Sequence, residues 1–98
     1  MKKFLIEVPH GPDKMACEHA IQVFQQSGSH FLTHAEWGCM DGEHKAWIII
    51  EVDNKEEARH VVPPLFRHEA KITELVTFTL KDFQNSGDLH PEMRHHTA

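Results

Sequence analysis

One stretch restricts the fold of this chain more than any other. Residues 30–39 and Lys45 to Val52 read as two strands, and Asp41-Gly42 lies between them. Both of those turn residues tolerate positive φ, which is a strong hairpin signal, and a two-residue loop would fix the register of the whole pair. In that register His34 stands opposite Ile49, Glu36 opposite Trp47 and Leu32 opposite Glu51. Any fold of this chain has to seat this hairpin in a sheet.

The flanks say which sheet. Lys2 to Val8 alternates and is rich in branched and aromatic residues, so it reads as a strand, which Pro9-His10-Gly11-Pro12 ends. Asp13 is placed to cap a helix running to about Gln26, with Met15, Ala16, Ala20, Val23 and Phe24 forming one apolar stripe and Ser27-Gly28-Ser29 stopping it. After the hairpin, residues 54–62 suit a second helix, capped by Asp53 or Asn54 and ended by Pro63-Pro64. Residues 65–71 connect it to a fourth strand over Ile72 to Leu80. The order strand, helix, strand, strand, helix, strand predicts a ferredoxin-like α+β fold, a four-stranded antiparallel sheet with two helices on one face. Ninety-eight residues leave no room for a second core. The expected organisation is one domain over 1–81 and a loose polar tail over 82–98, which carries His90, His95 and His96.

Alternation then sorts side chains between the faces. Phe4, Ile6, Val8, Phe31, Thr33, Ala35, Ile48, Ile50 and Val52 are expected under the helices, and Trp37 with them. The open face receives Leu5, Glu7, Leu32, His34, Glu36, Trp47, Ile49 and Glu51. With the first and third strands taken as adjacent and parallel, Glu7 and Glu51 become neighbours and His34 lies diagonal to Glu51. Imidazole and carboxylate suit nickel, zinc or iron, so His34, Glu7 and Glu51 form the leading candidate metal site. Cys39 and His44, one on each side of the hairpin turn, form a second candidate. The same face allows an enzymatic reading, with His34 as general acid/base oriented by Glu51 or Glu7, and a small apolar substrate held by Trp47, Ile49, Leu32 and Leu5. Neither a nucleophile motif nor a phosphate loop accompanies it. Leu5, Leu32, Trp47 and Ile49 together form too large an apolar patch to leave in water, and a second copy of the chain is the simplest cover.

Composition removes other classes. A net charge of -5 argues against a general nucleic-acid binder, and the longest apolar run, Ala46 to Ile50, is too short to cross a bilayer. Met1 to Ile6 resembles the start of a signal peptide, but Glu7 interrupts it, so a cytoplasmic protein is expected. Two cysteines, Cys17 and Cys39, do not make a disulfide framework, and whether they approach each other is open at this point. Ten histidines are an excess that fits metal chemistry, pH response or drift. His10, His19 and His60 occupy loop or helix positions where solvated histidines are ordinary, and Arg59-His60 with Arg67-His68 reads as a small basic surface patch.

Element order and the covered open face together resemble the dimeric α/β-barrel branch of the ferredoxin-like folds, which includes muconolactone isomerase-like proteins and small antibiotic-biosynthesis-type monooxygenases. Within it, Phe31-Leu32-Thr33-His34-Ala35-Glu36-Trp37, followed by Asp41-Gly42 and by the short acidic stretch Asp53 to Ala58, is similar to a small nickel-binding family over roughly residues 2–80. That resemblance implies nickel at His34. Met15-Ala16-Cys17 resembles the Met-x-Cys-x-x-Cys loop of heavy-metal-associated domains, but Ala20 stands where their second cysteine would be. The expected function is thus a dimeric protein binding a small ligand or a transition metal (nickel or zinc). The alternatives are a cofactor-free isomerase or monooxygenase-type enzyme, and a dimeric module without chemistry.

Overall fold

The structure is a computed structural model and describes residues 1–85. Its strands are β1 (Lys2–Pro9), β2 (Glu36–Trp37), β3 (Lys45–Val52) and β4 (Lys71–Leu75). Its helices are α1 (Lys14–Gln26), α2 (His30–Thr33), α3 (Lys55–Val61), α4 (Pro64–Arg67) and α5 (Leu80–Asn85), with a 3-10 turn over Cys39–Asp41. The sheet runs β2-β3-β1-β4 with every neighbouring pair antiparallel, so the fold is the ferredoxin-like α+β arrangement. α2, α4 and α5 are short additions to that plan.

The core follows from the strand register. Phe4, Ile6 and Val8 of β1 pair with Ile50, Ile48 and Ala46 of β3, and Ile6 also pairs with Ile72 of β4. All of these are buried, together with Phe24 of α1, Ala58 of α3 and Val62, so both long helices cover this one face. Each large apolar side chain buried there contributes about 1.5–3 kcal/mol. The helices begin where the caps say they should. Asp13 accepts from the Ala16 N–H at 2.7 Å, and Asn54 from the Glu57 N–H at 2.9 Å. The Glu57 carboxylate in turn accepts from the Asp53 N–H at 3.1 Å.

Three expectations need correction. Residues 30–39 do not form a strand: residues 30–33 coil into α2, and only Glu36 and Trp37 pair with β3. The turn is closed locally, by the Thr33 N–H on the Ser29 carbonyl at 3.1 Å and the Thr33 hydroxyl on the His30 carbonyl at 2.9 Å. Coiling also rotates Leu32 into the core (1% exposed) and leaves Phe31 on the surface, the reverse of the strand pattern. The second correction is the pairing of β1 with β3, which is antiparallel rather than parallel. The third is β4, which stops at Leu75, so that Leu80 lies in α5. Residues 82–85 of the expected tail belong to that helix, while His90, His95 and His96 lie outside the described residues. Among the described residues no helix is long and apolar enough to cross a membrane.

Candidate functional site

The antiparallel pairing takes the leading expected site apart. Glu7 sits opposite Trp47 and Glu51 opposite Lys3. Four residues of strand separate the two carboxylates, about 13 Å at 3.3 Å per residue. Glu7 is also engaged: its carboxylate accepts from the Trp47 indole N–H at 3.3 Å and lies 3.7 Å from the Lys45 ammonium. His34 ends α2 on the surface, its Nδ1 donating to the His30 carbonyl at 2.9 Å. It borders two shallow depressions. One, of about 380 Å³, it shares with Leu5, Glu36, Trp47 and Ile49; the other, of about 320 Å³, is lined by Lys3, His30, Phe31 and Glu51 among others. His34 therefore comes near Glu51 and, separately, near Leu5, Trp47 and Ile49. It does not come together with Glu7 and Glu51 as one group, and buried Leu32 lines neither hollow.

The chemistry gathers at the other end of the hairpin. His10, Cys39 and His44 each present a ligand atom, and all three atoms lie within 4.8 Å of one another. The expected loop of two residues is in fact longer, because the strands end at Trp37 and Lys45. The Gly38 N–H closes it on the Lys45 carbonyl at 3.1 Å, and the Gly38 carbonyl accepts from Asp41 N–H at 3.0 Å and Glu43 N–H at 2.9 Å. Gly42 takes the left-handed conformation, φ 83°, that ends the 3-10 turn. This closed loop holds Cys39 and His44 side by side. His10 reaches them because Pro9 pairs with Lys45 and the next N–H, that of His10, donates to the His44 carbonyl at 3.0 Å.

The hydrogen bonds leave one His10 nitrogen facing inward. His10 Nδ1 donates to the Gly11 carbonyl at 2.8 Å, which leaves the Nε2 lone pair directed at Cys39 Sγ, 3.1 Å away. A backbone carbonyl fixing one ring nitrogen so that the other can bind is the usual support of a metal-ligating histidine. His44 Nδ1 is buried and has no hydrogen-bond partner among the described residues. An orphaned buried nitrogen costs about 1–3 kcal/mol, so this ring is held in place against a local cost. Trp37 and Phe24 wall the site on the core side, with ring centroids 5.8 Å from His10 to Trp37 and 5.0 Å from Trp37 to Phe24.

Cys17, in the second turn of α1, adds a second sulfur: its thiol donates to Cys39 Sγ at 2.9 Å. That hydrogen bond, then burial and the negative charges of Cys39 and Glu18, push the Cys17 pKa from 9.0 up to about 11. From sequence alone Cys39 pairs with His44, whereas His10 reads as solvated and the place of Cys17 is open. The signal for His10 was the strand pairing itself, since an antiparallel β1–β3 register places the residue after Pro9 beside the one before Lys45. The basic patch, by contrast, is occupied with structure. Arg59 donates to the Arg67 and Ala70 carbonyls and Arg67 to those of His60 and Val62, which ties down the backbone around the double proline. Set against protein-family models, curated proteins and solved structures, the chain matches none of them.

Proposed function

We propose that this protein binds a transition metal ion through His10, Cys39 and His44. The observation that carries the reading is the convergence of two imidazoles and one thiol within 4.8 Å, partly buried and on a strand end and a loop fixed by backbone hydrogen bonds. Two nitrogens and a thiolate are a borderline-soft donor set, which suits zinc or nickel and disfavours magnesium or calcium. Three protein donors leave room for a fourth ligand on the ion. The test is metal content and competitive titration with zinc and nickel on untagged, reduced protein. One ion per chain is expected in the parent and in His34→Ala, and a large loss of affinity in His10→Ala and Cys39→Ala. Equal binding by parent and both site variants, or no binding by the parent, would overturn the reading.

A second reading has an observation of its own. The depression of about 380 Å³ bordered by Leu5, His34, Glu36, Trp47 and Ile49 has the size of a small-ligand site, and Ile49 within it is 62% exposed. A second copy of the chain laid on this face would enclose a small apolar molecule against His34. Sedimentation of the parent against Ile49→Asp tests that arrangement: a dimer in the parent that dissociates in the variant supports it, and a monomer in both removes it.

A further inference from the structure

The proposed metal site uses Cys39 and leaves its closest chemical neighbour idle. Cys17 Sγ lies 2.9 Å from Cys39 Sγ, and the two residues stand 22 positions apart on separate elements, α1 and the 3-10 turn. A disulfide needs about 2.05 Å between sulfurs, so the pair is within about 1 Å of bonding distance. Two thiolates on one zinc, each at about 2.3 Å with tetrahedral angles, would instead stand roughly 3.8 Å apart. Cys17 is also not one of the three donors that lie mutually within 4.8 Å. A thiol that touches a ligand thiol without belonging to the ligand set is placed as a resolving cysteine. Both cysteines are free and only partly buried, so a small oxidant can reach them.

We propose that Cys17 and Cys39 form a redox pair whose oxidation to a disulfide withdraws Cys39 from the metal site and releases the ion. This rests on the metal-binding reading above and adds its regulation. The oxidant is a hydroperoxide. One thiolate attacks a peroxide oxygen, the O–O bond breaks, and a sulfenic acid and hydroxide result, the hydroxide leaving as water once protonated. The sulfur of the other thiol then attacks the sulfenyl sulfur, the S–O bond breaks, the disulfide forms and a second water leaves. Two thiols lose two protons and two electrons, and hydrogen peroxide gains them as two waters. The electron pair with which Cys39 would hold the ion now belongs to the S–S bond, and two imidazoles remain. Reduction of the disulfide by a thiol restores the site.

The experiment uses untagged full-length protein, reduced, loaded with zinc and exposed to hydrogen peroxide. Zinc release is followed with a chromogenic chelator, and the cross-link is mapped by peptide mass spectrometry. A Cys17–Cys39 cross-link within one chain is expected, with one zinc released per cross-link and rebound after dithiothreitol. Cys17→Ser should bind zinc as the parent does, form no intrachain cross-link, and fail to rebind its released zinc after dithiothreitol, since Cys39 without a resolving thiol is carried on to the sulfinic acid. A cross-link formed without zinc release, equal recovery of zinc binding by Cys17→Ser after dithiothreitol, or cross-links only between chains would overturn the proposal. Reduced parent that binds no zinc would instead sink the metal reading and the gate with it, while the peptide map would still show whether the disulfide forms.

Discussion

The two ends of the central hairpin carry similar side chains and put them to different uses. On the open face of β1, β2 and β3, donors such as Glu7, Glu36 and Glu51 ride on strands, where neighbours on one face repeat every second residue and the antiparallel register keeps Glu7 and Glu51 apart. At the loop end, a 3-10 turn and the first residue past β1 bring His10, Cys39 and His44 together. A regular strand spreads its donors along a line, whereas a tight loop beside a strand end converges them on a point. That is why the candidate centre lies at the irregular end of the hairpin, although the better-patterned face carries more carboxylates.

The sharpest break of this comparison concerns Leu32, which the open face loses to the core. Leu32→Ala is expected to cost about 2–5 kcal/mol in denaturant unfolding, because its side chain is 1% exposed, while Leu5→Ala on the open face should cost clearly less. Equal costs would mean that residues 30–33 lie in a strand after all. Next comes the donor contrast. His10→Ala or Cys39→Ala should weaken zinc by more than about 100-fold, since supporting residues alone are worth 10–100-fold, whereas His34→Ala should leave affinity unchanged. Competition with a calibrated chelator reads both.

Gly38 joins the two regions. A Cβ there would meet the Trp47 ring at 2.6 Å on one side and the Glu43 carbonyl at 2.8 Å on the other. Gly38→Ala should therefore lower stability by about 1–3 kcal/mol through overpacking, and weaken zinc as the loop shifts. A stable variant with unchanged zinc affinity would show that the regions are independent. The smallest effect expected is chemical. With its pKa raised to about 11, Cys17 in metal-free reduced protein holds less thiolate at pH 8 than an ordinary cysteine, so alkylation there should be slow and rise only at higher pH. In Cys39→Ala the hydrogen bond is gone and the alkylation profile should move back to lower pH; identical profiles would contradict the contact.

Much of the fold was legible because local chemistry and global pattern agree in it. Asp13, Asn54 and the alternation of Phe4, Ile6, Val8 with Ile48 and Ile50 each specify their element from nearby residues alone. The segment from His30 to Trp37 was not, since Phe31-Leu32-Thr33 has strand composition yet coils just after Gly28, at φ 79°, closed by Thr33 on the Ser29 and His30 carbonyls. The Glu36–Trp47 pairing was nevertheless correct, because the register across the loop is the same whether that loop is tight or longer. The candidate centre was half legible. Cys39 and His44 announce themselves across one turn, but His10 and Cys17 depend on long-range pairing and docking, and the assumed parallel strands set Glu51 beside Glu7 although it pairs with Lys3 at the other end of β1.

The shortness of β2 has a consequence for how copies of this chain meet. Among the described residues no strand lies along the outer edge of β3 from Ile48 to Val52, and α2 is packed there. An edge with three successive isoleucines, Ile48 to Ile50, and open backbone donors and acceptors is a template on which another chain can zip, and a single helical turn anchored by Leu32 blunts it. Protection of this kind can be lost locally without global unfolding, so a lesion in α2 would show as edge-to-edge self-association before it showed as a melted core.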